Sequence, residues 1–156
     1  MKRHYQTDRL QLRPITRQDM PAIFEGYAQD PEVVRYMSWP AHKTLKDTAF
    51  FLERVEANAK SGKTSDFALE LRESGEMIGT IGVQWFPGKA HLGYCMARPY
   101  WGRGLMTEAA QMIVDEVWKK PEIVRLESMC HVENHASRRV IEKMGMEYEG
   151  RLRSYL

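Results

Sequence analysis

The stretch HLGYCMARPYWGRGLMTEA, residues 91–109, decides how the rest of the chain is read. Residues 90–97 read as a strand that ends at Arg98-Pro99. A glycine-containing turn follows at Trp101-Gly102-Arg103-Gly104. Leu105, Ala109, Met112, Ile113 and Val117 then recur on one face of a helix running from about Gly102 to Trp118. A helix that opens directly from such a turn leaves its first N–H groups without intrahelical partners, at the positive end of its dipole. Glycines let that backbone approach a ligand closely. The turn is therefore either plain chain reversal or a cradle for an anion such as a pyrophosphate, with Arg103 adding charge. It is not a P-loop, because no Gly-Lys-Ser/Thr is present, and Thr107 stands where a dinucleotide fingerprint needs its third glycine.

Upstream, RLQLR (residues 9–13) alternates polar and apolar and reads as a strand ended by Pro14. Thr16 and Asp19 have the spacing of an N-cap and its third residue, opening a helix to about Ala28, and a short helix is expected over 31–37. Thr44 and Asp47 repeat the cap, and Leu45, Ala49, Leu52, Val55 and Ala59 make 45–60 an amphipathic helix. Residues 66–72 and 76–85 read as a hairpin about Glu73-Ser74-Gly75. Downstream come a strand at 123–132, a helix at 135–144 stopped by Gly145, and a last strand beginning near 147–151. Hairpin strands followed by β-α-β-α-β imply an α/β (α+β) fold: a mixed, mostly antiparallel sheet with helices on both faces, in one domain over residues 1–156.

Composition narrows the function. With 23 basic and 21 acidic residues the net charge is +2, and the two signs are interspersed, so nothing marks a nucleic-acid or membrane surface. The longest apolar runs are four residues, Ala49–Leu52 and Tyr94–Ala97, too short for a membrane span or a signal peptide, so a cytoplasmic location is expected. Cys95 and Cys130 lie in apolar segments and read as buried reduced thiols, with no Cys/His cluster for a metal. Small molecules or small peptides are the expected partners.

The turn resembles the acetyl-CoA signature of the GNAT N-acetyltransferases, Gln/Arg-x-x-Gly-x-Gly/Ala. Trp101 to Met106 fill its six places; Gly104 matches, while Trp101 and Met106 depart. YWGRGLMTEA is similar to the YWGKGYATEA of the branch that acetylates ribosomal-protein N-termini. TDRLQLRPITRQDM (7–20), GEMIGTIGV (75–83) and ENHASRRVIEKMGMEYEGRLR (133–153) resemble further blocks of that branch in the same order. The family closes its sheet with another strand after the last block, whereas this chain stops at Leu156.

The resemblance implies a fold, a co-substrate and roles for residues. Strands 90–97 and 123–132 splay apart to admit acetyl-CoA. Gly102, Arg103, Gly104, Leu105, Met106 and Thr107 surround its pyrophosphate. Cys95, Met96 and Ala97 offer backbone groups to the pantetheine arm, with the Met96 N–H as oxyanion donor. Asn134 bonds that arm, and Ser137 sits near the sulfur as a proton donor to the thiolate, since Ile141 fills the place where other members carry a tyrosine. Asn134 is equally a helix N-cap that needs no ligand.

His91 occupies the place of a glutamate that serves as base in related enzymes, and an imidazole can do that work near neutral pH. Glu127 on the neighbouring strand and water are the rival bases, and His91 is otherwise a polar residue on a half-exposed strand face. Tyr36 and Trp39 lie in the loop that lines the acceptor slot in the family, or are partial core. His4, His42, His131 and His135 read as surface or hydrogen-bonded residues.

The function so implied is direct transfer of an acetyl group from acetyl-CoA to a primary amine, on a protein N-terminus or a small molecule, through a tetrahedral intermediate, by a monomer or homodimer without a metal. The alternative is a silent acyl-CoA-binding sensor or interaction module. No acidic run in the sequence marks a slot for a polycation.

Overall fold

The computed structural model describes residues 4–153, and six strands lie in sequence order across one sheet. They are Tyr5–Gln6 (β1), Leu10–Pro14 (β2), Thr64–Leu71 (β3), Met77–Phe86 (β4), Lys89–Met96 (β5) and Arg125–Glu127 (β6). Every neighbouring pair is antiparallel except β5 and β6, which run parallel. β1 is too short to leave a pattern in the sequence.

Alternation decides which side chains each face buries. Phe67, Leu69, Ile81, Val83, Leu92 and Met96 join the core under α4 (Leu105–Val117) and α5 (His135–Lys143). Ala68 and Cys95 point the other way. There they meet α1 (Met20–Ile23), its π-helical continuation Phe24–Ala28, α2 (Pro31–Val34) and α3 (Leu45–Lys60). Both capping boxes form: Asp19 accepts from the Thr16 N–H at 2.7 Å, and Asp47 from the Thr44 N–H at 2.8 Å. Asp19 also receives the Arg13 guanidinium, which fixes β2 to the helix start. Burial favours a neutral Asp19, but Arg13 and Thr16 outweigh it and hold the pKa below the ordinary carboxylate range.

Four readings of the sequence need correction. The helix expected over 16–28 is broken into a 3-10 turn, one α turn and one π turn, the last of which carries Tyr27 and Ala28 into the core. The short helix ends at Val34, after which the chain loops back to bond His42 N–H to Ala28 O. The strand expected over 123–132 pairs only at Arg125–Glu127, so Cys130 lies past it and is exposed, not buried. No strand forms at 147–151; Glu149 is tethered to β6 through the Arg125 guanidinium instead. The expectation that the sheet lacks a further closing strand concerns the chain end and lies outside the described residues. No helix among those described is long and apolar enough to cross a membrane.

Candidate active site

β5 and β6 pair at only three positions, Lys89 with Arg125, Ala90 with Leu126 and His91 with Glu127. Beyond them the strands part, and the Ser128 hydroxyl bonds Leu92 O at 2.9 Å where the ladder would have continued. The expected splay is therefore present. Successive strand residues turn their backbone groups to opposite edges. Ala97 N–H is bonded to Ile78 O of the β4 strand at 2.8 Å, whereas Leu92 O and Met96 O face the splay, where they accept from Ser128 and the Trp101 indole. By the same alternation the N–H groups of Tyr94 and Met96 face the open edge. Cys95 and Ala97 point their N–H groups toward β4, so of the three residues expected along the pantetheine arm only Met96 offers a free one. Tyr94, unmarked in the sequence, offers the other.

The turn after β5 is built as its glycines suggest. Gly102 and Gly104 have φ of +74° and +76°, a region open to glycine and strained for other residues. Gly104 caps α4, whose first intrahelical acceptor bond runs from Glu108 N–H to Gly104 O. Among the described residues nothing accepts from the N–H groups of Gly102, Arg103, Gly104, Leu105, Met106 or Thr107. Leu105 and Met106 bury their side chains, so they offer backbone only. The Arg103 guanidinium lies over the Tyr100 ring, 5.6 Å from its centroid.

What holds this turn in place comes from the other end of the chain. Arg9 donates from Nη1 to Arg103 O at 2.9 Å and from Nε to Glu108 Oε2 at 2.7 Å. Glu108 Oε1 also accepts from the Arg9 N–H and from the Thr7 hydroxyl. Burial acts to raise the Glu108 pKa; Thr7 and Arg9 prevail and keep it below the ordinary range. The second guanidinium nitrogen of Arg9 comes within 3.6 Å of where a Gly104 Cβ would stand. A cation thus sits beside the free N–H groups and balances the one carboxylate in the first turn of α4.

On the opposite side of the splay, Asn134 caps α5, its Oδ1 accepting from the Ser137 N–H at 3.0 Å. That cap leaves the amide donors of Asn134 unused among the described residues. The Tyr94 hydroxyl lies 2.9 Å from the Ser137 hydroxyl and also bonds Ser137 O. Ile141, one turn further along α5, brings no hydroxyl there; Tyr94 brings one to Ser137 from the strand. Burial pushes the Tyr94 hydroxyl up to about 12, opposed in part by Ser137.

His91 is half-buried, with Nδ1 3.9 Å from Glu127 Oε1. Burial lowers its pKa; Glu127 opposes that and Lys89 reinforces it. Lys89 at 3.0 Å and Arg125 at 3.1 Å hold the Glu127 carboxylate below its ordinary range, so Glu127 is the poorer proton acceptor of the two. Tyr36 stacks on His131 at 5.0 Å, joining the loop after α2 to the chain beyond β6. Trp39 packs into the second core beside His42, whose Nδ1 meets the buried Thr48 hydroxyl. The described residues contain no His/Cys/Asp/Glu group that could hold a metal ion.

Residues 9–147 match the family described as Acetyltransferase (GNAT) domain. The chain belongs to the GNAT family. It is an acetyl-CoA-dependent acyltransferase, and its sheet with helices on both faces is the GNAT fold. It is 31% identical over 154 residues to the uncharacterized N-acetyltransferase YoaA of Bacillus subtilis, covering 97% of this chain and 86% of the relative. A GNAT-family acetyltransferase from Bacillus anthracis superposes with a TM-score of 0.82 at 28% identity, over 94% of this chain and 85% of the other. Mycobacterium smegmatis RimJ, solved with CoA-disulfide, gives 0.81 at 25% identity, over 94% of this chain and 74% of RimJ. The likeness to RimJ fits the branch that the YWGRGLMTEA block resembles.

Proposed function

We propose that this GNAT enzyme acetylates a primary amine, of a protein N-terminus or a small molecule, by direct attack at the open edge of β5. One observation supports the reading above the others. The free N–H groups of Tyr94 and Met96 lead along one edge into the free N–H groups of residues 102–107. An extended arm ending in a pyrophosphate needs donors in that order. Acetyl-CoA brings the activated acyl carbon and the thiol leaving group.

Within this reading the Met96 N–H holds the arm and the Tyr94 N–H receives the developing oxyanion. The family resemblance implies Met96 for the second task. Tyr94 suits it better because it is three residues from His91, about 10 Å along a strand, whereas Met96 is five away, about 17 Å. One water then bridges the amine and the imidazole. The Ser137 and Tyr94 hydroxyls face the departing sulfur. With its pKa near 12, Tyr94 is a weaker acid than a thiol of about 8.5, so the pair stabilises the thiolate by hydrogen bonds, and solvent supplies the final proton. Tyr36 lines the acceptor side, with Trp39 behind it as packing.

Incubation with acetyl-CoA and a panel of primary amines, followed by free thiol, tests the reading. Acetyl-CoA that raises the melting temperature while no amine releases thiol would instead favour a binding module. Ser137→Ala is expected to lower kcat about ten-fold with little change in acetyl-CoA affinity; an unchanged kcat would reduce Ser137 to a structural residue of α5. Arg9→Ala should weaken acetyl-CoA about ten-fold, since it removes a half-exposed cation and leaves Glu108 uncompensated beside the phosphates. S-acetylpantetheine lacks the pyrophosphate and should react equally with both proteins; equal losses for the two thioesters would mean general damage to the fold.

A further inference from the structure

The sheet face turned away from α4 and α5 carries a carboxylate that the reading above leaves without a task. Asp66 on β3 lies opposite Gly82 on β4, and Gly82 lies opposite Gly93 on β5. Directly opposed residues share a face, so the three form one row running toward the edge where β6 departs. His91 lies two residues from Gly93 on that same face. A Cβ on Gly82 would collide with Asp66 Oδ1, so the carboxylate leans along the row toward β5. A Cβ on Gly93 would meet nothing within 4 Å, so the row ends in open space.

Asp66 is half-buried, and its protein partner is the Thr64 hydroxyl; no cation among the described residues pairs with it. The buried carboxylate of Asp19 is instead gripped by Arg13 and Thr16. The described side chains leave no fully buried polar atom without a partner, so Oδ1, which none of them bonds, still meets solvent. Burial raises the Asp66 pKa and only Thr64 opposes it. A carboxylate kept partly out of water without a counterion destabilises the fold, and a ligand's cation would offset that cost.

Resting on the amine-acetylation reading, we infer that Asp66 determines acceptor specificity by binding a second cationic nitrogen of the acceptor, so that diamines are preferred to monoamines. The reacting nitrogen is not the one it holds. Two strand spacings, about 9–10 Å, separate Asp66 from β5, and the acyl group lies at the far edge of that strand. An acceptor entering over Gly93 can put one amine against the acyl carbon whose oxygen the Tyr94 N–H holds and extend the other back along the row to Asp66. The far charge is thus recognised by one carboxylate placed away from the chemistry, while the near amine reacts as the neutral base.

Hexamethylenediamine and aminohexanol, alike in length and differing in the far charge, are suitable probes. Wild type should favour the diamine at least ten-fold in kcat/KM, through KM. The isosteric Asp66→Asn should erase that preference while leaving acetyl-CoA affinity and the rate with aminohexanol unchanged and the melting temperature equal or higher, since it removes a charge without a counterion; Asp66→Ser serves as a second variant. Calorimetric binding of the diamine to the CoA-saturated protein reads the anchor without turnover and should weaken at least ten-fold in either variant. Equal use of the two probes by wild type, a preference that survives both variants, or no diamine binding would overturn the assignment. Diamine binding that depends on Asp66, without thiol release from any amine, would count against acetyl transfer and leave the anchor standing.

Discussion

Replacing Gly104 with valine is expected to weaken acetyl-CoA binding at least ten-fold in a protein that still folds. Gly104 stands at φ +76° as the N-cap of α4. A β-branched residue there costs about 1–3 kcal/mol of backbone strain, which a domain with a typical stability of about 5–15 kcal/mol survives. Space is not the obstacle inside the protein, since the nearest atom to an added Cβ is the Arg9 guanidinium at an ordinary contact distance of 3.6 Å. The obstacle is on the ligand side. Valine methyl groups would intrude among the N–H groups of residues 102–107 and move the Arg9 nitrogen that faces them. Isothermal titration with acetyl-CoA, alongside a thermal melt without ligand, separates the two effects. Unchanged affinity in a folded Gly104→Val protein would remove the phosphate-cradle reading. The S-acetylpantetheine rate should stay near wild type, because that thioester does not reach the turn.

The parts of this site that the sequence discloses are those built by neighbours in the chain. Gly102, Gly104 and the apolar face of α4 are legible because a turn and a helix declare themselves within a few residues. Asn134 is legible as a cap for the same reason, and both capping boxes form as their spacing predicts. The Arg9–Glu108 pair is not legible, because 99 residues separate its members and the local pattern around each says nothing of the other. Tyr94 reads only as a strand residue, and its contact with Ser137 spans 43 residues. The excess of apolar residues over 123–132 overstated the strand: composition reports that a segment can pair, while the departure from β5 after Glu127 decides whether it does. The row Asp66–Gly82–Gly93 exists only through register, which is why a search for consecutive acidic residues passes over it.

His91→Ala should lower kcat/KM at neutral pH by about a hundred-fold, at the lower end of what acid–base groups contribute. The imidazole must be neutral to accept a proton. Burial lowers its pKa from the ordinary value of about 6.5, so it is ready at neutral pH and is lost as base only when pH falls through that depressed value. The wild-type profile should therefore carry an acid limb below about 6.5, and the alanine variant should lack it. Glu127 makes the assignment separable from its rival. Its carboxylate helps raise the His91 pKa while being itself held low by Lys89 and Arg125. Glu127→Gln should then move the acid limb further down and leave the neutral-pH rate near wild type. If Glu127 were the base, the same substitution would remove the rate and His91→Ala would only displace the limb. A His91→Ala profile superimposable on wild type would sink the role of His91. Because His91 makes no contact with the turn at residues 102–107, acetyl-CoA affinity should not move in either variant, which separates a lost base from a lost binding site.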